Sequence, residues 1–357
     1  MVIKYIILTI LLSQLSISCL TNTEIDNDVE VKKEVPVKIV TKEENNKGDL
    51  VIYSGRKESL IGPLINQFKS INGINVEVKY GTSTEIAALL MLEGSKTPAD
   101  IFYAQDPGAL GSVINMLQQL SLDSLEKIPV WAKSNDGKWI GVSGRARTLV
   151  YNTDNVNVSE LPNNLYDLCD SKWKGRMGWA PTNSSFQTMI TAMRKLWGED
   201  KTMIWVKCMI ANDIKIYPKN APQVEAVGKG EIDIGLVNHY YLYKFILDAG
   251  EGDKFKAKNF HLNTGGPGSL VMVSPIGILN TAKNKDNAQQ FIDFMISKII
   301  QNYFADTIRE YPLIEGAKTY QSLTPLSEIT KANINLSDLA DIQGSAKLLQ
   351  EVGALPR

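Results

Sequence analysis

The feature that most constrains the fold of this chain is a regular alternation of short apolar strands with amphipathic helices. Residues 50–54, 74–80 and 99–104 have strand patterns. The apolar residues between the first two strands recur at helical spacing, and Gly73 is placed to end that helix. Alternation of this kind predicts an α/β unit with a parallel sheet.

Polar side chains follow the predicted strands at their carboxyl ends. Ser54 and Arg56 come after the first strand, and Gln105 comes after the third. Ligands of open α/β sheets bind outside the carboxyl ends of the strands. We therefore expect these loops to line one crevice.

A second α/β unit follows a long extended segment at residues 139–151. Its strands are predicted at 176–180, 215–218 and 232–237, and an apolar segment at 269–279 leads back to the first unit. A chain that leaves one lobe, builds another and returns makes a hinge of two crossing strands. The sequence therefore predicts a two-lobed α/β protein with such a hinge.

The amino terminus has the pattern of an export signal. An apolar run at residues 5–12 is too short to span a bilayer, and small polar residues follow it. Cys19 after Ser18 is similar to a bacterial lipoprotein cleavage site, so we predict a lipid anchor at Cys19 on the periplasmic side of a bacterial membrane, with plain secretion as the alternative. Residues 21–47 lack aromatic residues and mix Glu with Lys, which favours a flexible linker over an extra edge strand.

Composition and length limit the partners and the domain count. The formal net charge of −1 favours neither nucleic acid nor an anionic membrane surface as the main partner, and 357 residues suffice for two domains. Whether Cys169 and Cys208 pair stays open at this point. The predicted organisation is a signal peptide at 1–18, a lipid-anchored linker at 19–48, a first lobe at 49–144 and 276–325, a second lobe at 145–275, and C-terminal helices at 326–357 that clamp the lobes.

The chain lacks the motifs of common catalytic sites. It has two histidines, His239 and His261, and no Gly-x-Ser-x-Gly, His-Glu-x-x-His or phosphate-loop sequence. The sequence therefore favours a binding function over an enzyme. An exported hydrolase that uses His239 is a remote alternative.

Two adjacent tyrosines lie where the strand at 232–237 meets a predicted helix. At such a corner the hydroxyl groups of Tyr240 and Tyr241 can converge on one point, and phenols suit a hard, highly charged cation. The alternative is that both rings only cap a core.

Guanidinium and small polar groups are predicted at the same crevice. Arg145 and Arg147 share one face of the extended segment because strand side chains alternate. A helix that begins near Ser184, with Gln187 at capping-box spacing, offers its amino terminus to an anion. The alternatives are a surface arginine ladder and an ordinary helix cap. The predicted anion-binding residues are Arg56, Arg145, Arg147, Thr182, Asn183, Ser184 and Asn220, with Ser54, Gln105 and Asn238 as accessory residues.

Phenols together with a basic crevice fit Fe(III) bound with a synergistic anion. Fe(III) is a hard acid that prefers oxygen ligands. Its charge lowers the pKa of a phenol from the usual value of about 10. Carbonate or phosphate held by arginine would complete the coordination shell.

From residue 50 to about residue 313 the chain resembles the periplasmic ferric-ion-binding proteins of bacterial ABC importers, which have the type II periplasmic binding protein fold. The resemblance implies that Tyr240 and Tyr241 bind iron, and that Asn183, Asn220 and the arginines shape an anion pocket. It also implies an ABC permease and its ATPase as partners, and we expect a monomer. The segments that carry the resemblance are 51–56, 98–106, 143–147, 219–220, 230–233 and 238–241.

The chain departs from that family at three possible ligand positions. Some members have a histidine after the first strand and a glutamate after the third, where this chain has Lys57 and Gln105. A third tyrosine of other members falls near Trp179, which cannot bind iron. We therefore expect a site of two tyrosines and an anion. The alternative within the same fold is a receptor for a small organic anion or a phosphonate, in which the arginines bind and the tyrosines stack.

Overall fold

Nine strands form one sheet in residues 49–356, which are the residues that the computed structural model describes. The predicted signal peptide, lipidated Cys19 and linker lie outside these residues. The strands are β1 (Asp49–Ser54), β2 (Asn75–Tyr80), β3 (Ile101–Tyr103), β4 (Ile140–Asn152), β5 (Met177–Trp179), β6 (Lys215–Ile216), β7 (Ile234–Asn238), β8 (Ala257–Phe260) and β9 (Val271–Ile278).

Helices follow most of the strands, as the alternating pattern predicts. No helix within residues 49–356 has the length and apolar character needed to cross a membrane. The α-helices are α1 (Glu58–Asn72), α2 (Ser83–Glu93), α3 (Pro107–Gly111), α4 (Leu122–Lys127), α5 (Ser184–Trp197), α6 (Glu199–Ala211), α7 (Asn220–Gly228), α8 (Lys285–Met295), α9 (Lys298–Tyr303) and α10 (Ile342–Glu351).

The long strand β4 joins two parts of the sheet. The strand order is β2-β1-β3-β9-β4-β7-β5-β6, and β8 also pairs with β4. From Ile140 to Ala146 strand β4 runs antiparallel to β9, whereas from Arg147 onward it pairs with β7 and β8. All 13 residues of β4 are buried. The predicted lobe boundary between residues 144 and 145 stays a prediction, but β4 changes partners two residues away from it.

The loops after the first three strands meet at one place. Strands β2 and β3 both run parallel to β1, so their carboxyl ends lie at the same edge. The amide of Gln105 donates to Ser83 Oγ at 2.8 Å, and the amide of Gly55 donates to the carbonyl of Tyr103 at 2.8 Å. A Cβ atom at Gly55 would lie 2.0 Å from Ser83 Oγ. Glycine at this position therefore allows the close approach of the loops.

One local prediction from the sequence is wrong, and two predicted helices differ in form. The cap of α5 is Asn183, whose side chain accepts from the amide of Phe186, so Ser184 and Gln187 form no capping box. The helix predicted after Tyr241 is present as a π-helix at Lys244–Asp248. Helical spacing of apolar residues predicts one helix over residues 286–299, but α8 ends at Met295 and α9 begins at Lys298.

The C-terminal segment packs on helices α3 and α5. Ser345 on α10 shares a hydrogen bond of 2.7 Å with Thr191 on α5, and Arg194 pairs with Asp341 at 2.9 Å. A Cβ atom at Gly108 on α3 would lie 2.4 Å from Ile342 Cδ1. The role of residues 326–357 as a clamp between lobes stays a prediction.

The structure pairs the two cysteines that the sequence left open. Cys169 and Cys208 form a disulfide with their Cα atoms 5.5 Å apart, and it links positions 39 residues apart in the chain. Closing a loop of this length restricts the unfolded chain and stabilises a fold by roughly 2–4 kcal/mol.

We predict that the double substitution Cys169→Ser/Cys208→Ser lowers the free energy of unfolding by roughly 2–4 kcal/mol. Urea unfolding of the oxidised protein and of the double variant measures this difference. Reduced protein serves as the matched control, and its stability should equal that of the variant. Equal stability of the oxidised and reduced proteins would contradict the prediction.

Candidate metal and anion site

The two predicted metal-binding tyrosines lie side by side at the carboxyl end of β7. The strand ends at Asn238, and His239–Tyr241 form a 3-10 turn directly after it. The rings of Tyr240 and Tyr241 stack with centroids 4.4 Å apart, and only 3% and 8% of the two residues is exposed. Burial raises the pKa of Tyr241 well above its usual range, and Tyr240 raises it further, whereas Arg145 and Arg56 oppose the shift. Without a cation the Tyr241 phenol therefore holds its proton.

His239 fixes the position of this turn. Its Nδ1 atom accepts from the amide of Ala146 at 3.1 Å, and its Nε2 atom lies 2.8 Å from the carbonyl oxygen of Arg309. Burial lowers the pKa of His239 to about 3, so the ring is neutral near pH 7. Both ring nitrogens are engaged with the backbone, and this arrangement leaves no free nitrogen for a catalytic base.

Arg56 forms a fully buried ion pair. Its Nη2 atom donates to Glu310 Oε1 at 2.8 Å, and Ser143 Oγ donates to the other oxygen of Glu310. Neither charged side chain is exposed to solvent. Burial opposes the charge of Arg56, but Glu310, with help from Tyr103 and Tyr240, raises the pKa of Arg56 above its usual value. Arg56 therefore stays cationic inside the protein.

Arg145 and Arg147 are buried on the same strand without a carboxylate partner in the described part of the chain. Arg145 donates to Ser185 Oγ at 3.4 Å and to the carbonyl of Val273 at 3.3 Å. Arg147 donates to Asn238 Oδ1 at 3.1 Å and to the carbonyl of Leu236 at 2.9 Å. Burial lowers the pKa of Arg147 to about 9, and the phenols of Tyr240 and Tyr241 offset part of that shift. All of these partners are uncharged, so positive charge remains in the site.

Several buried donors of the site have no partner. Hydrogen-bonding groups inside a protein are rarely left unpaired, because an unpaired group costs about 1–3 kcal/mol. A set of unpaired donors beside cationic groups therefore indicates a place for an anion. Among residues 49–356 the following predicted site residues have unpaired donor atoms: Arg56 Nε and Nη1, Arg145 Nε, Arg147 Nε, Asn220 Nδ2 and Asn238 Nδ2.

The residues at the start of α5 are arranged differently from the prediction. Asn183 uses its side chain to cap the helix, Thr182 is exposed and Ser184 is half-buried. Ser185, which the sequence analysis did not select, is buried and accepts from Arg145. The predicted anion-binding roles of Thr182, Asn183 and Ser184 stay predictions.

The accessory positions are spread over the loops of the first strands. Ser54 Oγ accepts from the amide of Arg56 at 3.0 Å and so shapes that loop. Gln105 is half-buried next to Ser83, and Lys57 is exposed. Trp179 is buried against Phe186, with ring centroids 5.5 Å apart, and belongs to the core.

Glu310, Ser143 and Tyr103 belong to the site, but the sequence analysis did not assign them to it. Tyr103 ends β3 and interacts electrostatically with Arg56 and Arg145. A buried arginine requires a counter-charge, but the chain has 39 acidic residues and no pattern that selects Glu310. Sequence reasoning could have selected Tyr103 and Ser143, because each lies two residues before a predicted crevice residue, Gln105 or Arg145.

A site built from phenols is consistent with the other side chains of the structure. Among residues 49–356 no group of three or more His, Cys, Asp or Glu side chains is arranged to hold a metal ion. Tyr240 and Tyr241 supply oxygen donors of another kind.

Comparison with known proteins identifies a family and a fold. Residues 96–332 match the model of the family described as bacterial extracellular solute-binding protein. The major ferric iron-binding protein of Neisseria meningitidis serogroup B is 30% identical over 312 residues, which cover 85% of this chain and 93% of that protein.

Solved structures of similar proteins cover the same part of the chain. Iron-bound HitA from Pseudomonas aeruginosa has a TM-score of 0.80 at 29% identity, covering 85% of this chain and 99% of that one. The FutA protein of Trichodesmium, solved with iron and citrate, has a TM-score of 0.75 at 29% identity, covering 86% and 99%. The predicted α/β class and type II periplasmic binding protein fold are confirmed.

We predict that Glu310→Gln lowers the free energy of unfolding by about 3 kcal/mol, because it leaves the buried Arg56 charge without its counter-charge. Urea unfolding at neutral pH measures the loss. Glu315→Gln, at an exposed glutamate close by in the sequence, is the matched control and should change little.

The double substitution Arg56→Met/Glu310→Met should recover most of that loss, since it removes both buried charges together. If Glu310→Gln were as stable as the Glu315→Gln control, the ion pair would not stabilise the fold in the way described.

Proposed function

Because this chain belongs to the bacterial extracellular solute-binding protein family, we propose that it captures Fe(III) together with a synergistic anion and delivers the ion to a membrane permease. The family consists of solute-binding proteins, so the prediction that the chain is not an enzyme is confirmed. Relatives from Neisseria meningitidis and Serratia marcescens are named ferric iron-binding proteins, which supports iron as the solute.

The observation that carries the proposal is the pair of buried phenols beside three buried guanidinium groups. Phenolate oxygen is a hard ligand that matches Fe(III). The raised pKa of Tyr241 keeps its proton in place until a cation arrives, and a trivalent ion at the phenol oxygen then displaces it. Tyr240 and Tyr241 are the proposed ligands.

The unpaired donors of the site support a synergistic anion. Arg145 and Arg147 have no carboxylate partner within residues 49–356, and their Nε atoms are free. An anion bound to the iron would accept from these groups and would offset their charge. Carbonate and phosphate are candidates, and citrate is a third because the Trichodesmium relative was solved with iron and citrate.

Delivery of the ion requires partners that the family membership supports. We propose an ABC permease with its ATPase as the acceptor, a monomeric receptor and no nucleic acid partner. Hinge closure about the crossing strands β4 and β9 is the proposed motion, because these strands connect the two parts of the sheet. The proposed lipid anchor at Cys19 would hold the receptor at the periplasmic side of the membrane.

A receptor for an organic anion or a phosphonate would use the same arginines without iron. This alternative predicts that the phenols bind no metal and that the bound complex is colourless. Colour distinguishes the two proposals, because phenolate bound to Fe(III) absorbs visible light.

We predict that protein lacking residues 1–48 develops a visible absorption band when it is titrated with ferric ion in bicarbonate or phosphate buffer, and that the band saturates at about one iron per chain, as expected for one pair of phenol ligands. The double substitution Tyr240→Phe/Tyr241→Phe should abolish the band. Stoichiometry comes from iron analysis of the separated complex.

Tyr243→Phe is the matched control, because the Tyr243 hydroxyl donates to the carbonyl of Ser322 at 2.7 Å and is committed to that contact. This variant should keep the band. If the wild-type protein gave no band with either anion, the iron proposal would fall, and binding of small organic anions and phosphonates would be measured by calorimetry instead.

A further inference from the structure

Residues 309–311 reach the proposed site from a distant part of the chain, directly after the π-helix Phe304–Ile308. Tyr311 exchanges two backbone hydrogen bonds with Gly144 on β4, at 2.7 and 2.8 Å, so the segment is joined to the crossing strand. Glu310 and Tyr311 are fully buried. We call residues 309–311 the return corner.

The return corner contacts His239, the first residue of the tyrosine turn, in two ways. Nδ1 of His239 accepts from the amide of Ala146, so the neutral ring has its proton on Nε2 and donates it to the carbonyl of Arg309 at 2.8 Å. The ring of Tyr311 stacks on the same imidazole, with ring centroids 4.6 Å apart. Because His239 directly precedes Tyr240, these contacts hold the start of the phenol pair in place.

The next residue of the return corner holds Arg56. Glu310 Oε1 accepts from Arg56 at 2.8 Å, and Ser143 donates to the other carboxylate oxygen. Adjacent residues have their Cα atoms about 3.8 Å apart, so two neighbouring residues of one short segment hold both Arg56 and the tyrosine turn. The spacing between the phenols and this guanidinium group therefore depends on the backbone conformation of the return corner.

Arg309 has a backbone conformation that its Cβ atom disfavours. Its φ of 64° and ψ of 30° lie in the left-handed region, where a helix usually ends in glycine. Among residues 49–356 one other non-glycine residue has a positive φ, Asp213, and aspartate tolerates this region better. Strained residues cluster at functional sites and persist where the surrounding structure holds them. Here the left-handed conformation directs the Arg309 carbonyl to His239.

The side chain of Arg309 offsets part of this strain. Its guanidinium carbon lies 4.2 Å from the centre of the Tyr320 ring, and Tyr320 in turn contacts Tyr243 edge-on, with centroids 6.4 Å apart. Replacing the arginine therefore changes a side-chain contact as well as the backbone preference. Variants that all lack the guanidinium group isolate the effect of the backbone.

We propose that Arg309 is a positioning residue for the iron site, because its left-handed backbone holds His239, and through it the tyrosine turn, at a fixed place relative to Arg56. The inference rests on the proposed function, in which Tyr240 and Tyr241 bind iron. A site that is ordered before the ion arrives retains the ion better, since binding does not have to order the turn. Loss of the left-handed conformation should therefore speed the release of iron.

The test compares Arg309→Gly, Arg309→Ala and Arg309→Val, which all remove the guanidinium group but differ in their tolerance of a positive φ. Each protein is loaded with ferric ion in bicarbonate buffer, and the loss of the visible band is followed after excess EDTA is added. We expect Arg309→Gly to release iron at close to the wild-type rate. Arg309→Val should release it roughly tenfold faster, and Arg309→Ala at an intermediate rate.

Cys169→Ser/Cys208→Ser is the matched control, because it lowers stability at a disulfide between α6 and the turn Leu165–Cys169. It should release iron at the wild-type rate, and urea unfolding of each iron-free protein measures the stabilities that are compared. This control separates positioning of the site from a general loss of stability.

Equal release rates for Arg309→Gly and Arg309→Val would overturn the inference while the iron proposal stood. Release from the disulfide variant as fast as from Arg309→Val would do the same. If Arg309→Val did not fold, the ratio of the rates of Arg309→Ala and Arg309→Gly would decide in the same way. Absence of any band in the wild-type protein would overturn both proposals.

Discussion

Burial of three arginine side chains is the constraint on which the rest of the site depends. A guanidinium group cannot be removed from water without compensation, and each of the three is compensated differently. Arg56 has Glu310, Arg145 has a hydroxyl and a carbonyl, and Arg147 has Asn238 and a carbonyl. Only the first arrangement neutralises a charge. The other two hold the cations in place and leave their charge available to an anion, whereas Arg56 can offer an anion its unpaired Nε and Nη1 donors but no net charge.

The sequence predicted the parts of the fold that local patterns determine. The strands and the first helices were predicted because their apolar residues recur with periods of two and 3.6. The end of α1 was predicted because glycine readily adopts a left-handed conformation, and Gly73 has that conformation in the structure. The cap of α5 was placed one residue late, because Asn183 and Ser184 are both good capping residues and only the backbone decides between them.

The part of the site that comes from distant segments could not be predicted in the same way. Tyr240, Tyr241 and Arg56 follow strands, so their positions near the carboxyl edge follow from the topology. Glu310 lies 254 residues from Arg56 in the chain and after a π-helix, where no period applies. Whether Glu310 reaches Arg56 depends on where the later part of the chain packs against the first strands. The sequence alone does not give that position.

The two backbone contacts of His239 limit how cargo can leave the protein. Many proteins respond to moderate acid through histidines that gain a proton between pH 5 and 8. His239 is excluded from that response, because burial lowers its pKa to about 3 and both of its nitrogens are occupied. Mild acidification therefore leaves the support of the tyrosine turn intact. Release of a bound ion under such conditions would begin with protons competing for the iron-bound oxygens of the phenols or of the synergistic anion, while His239 would keep both of its backbone contacts.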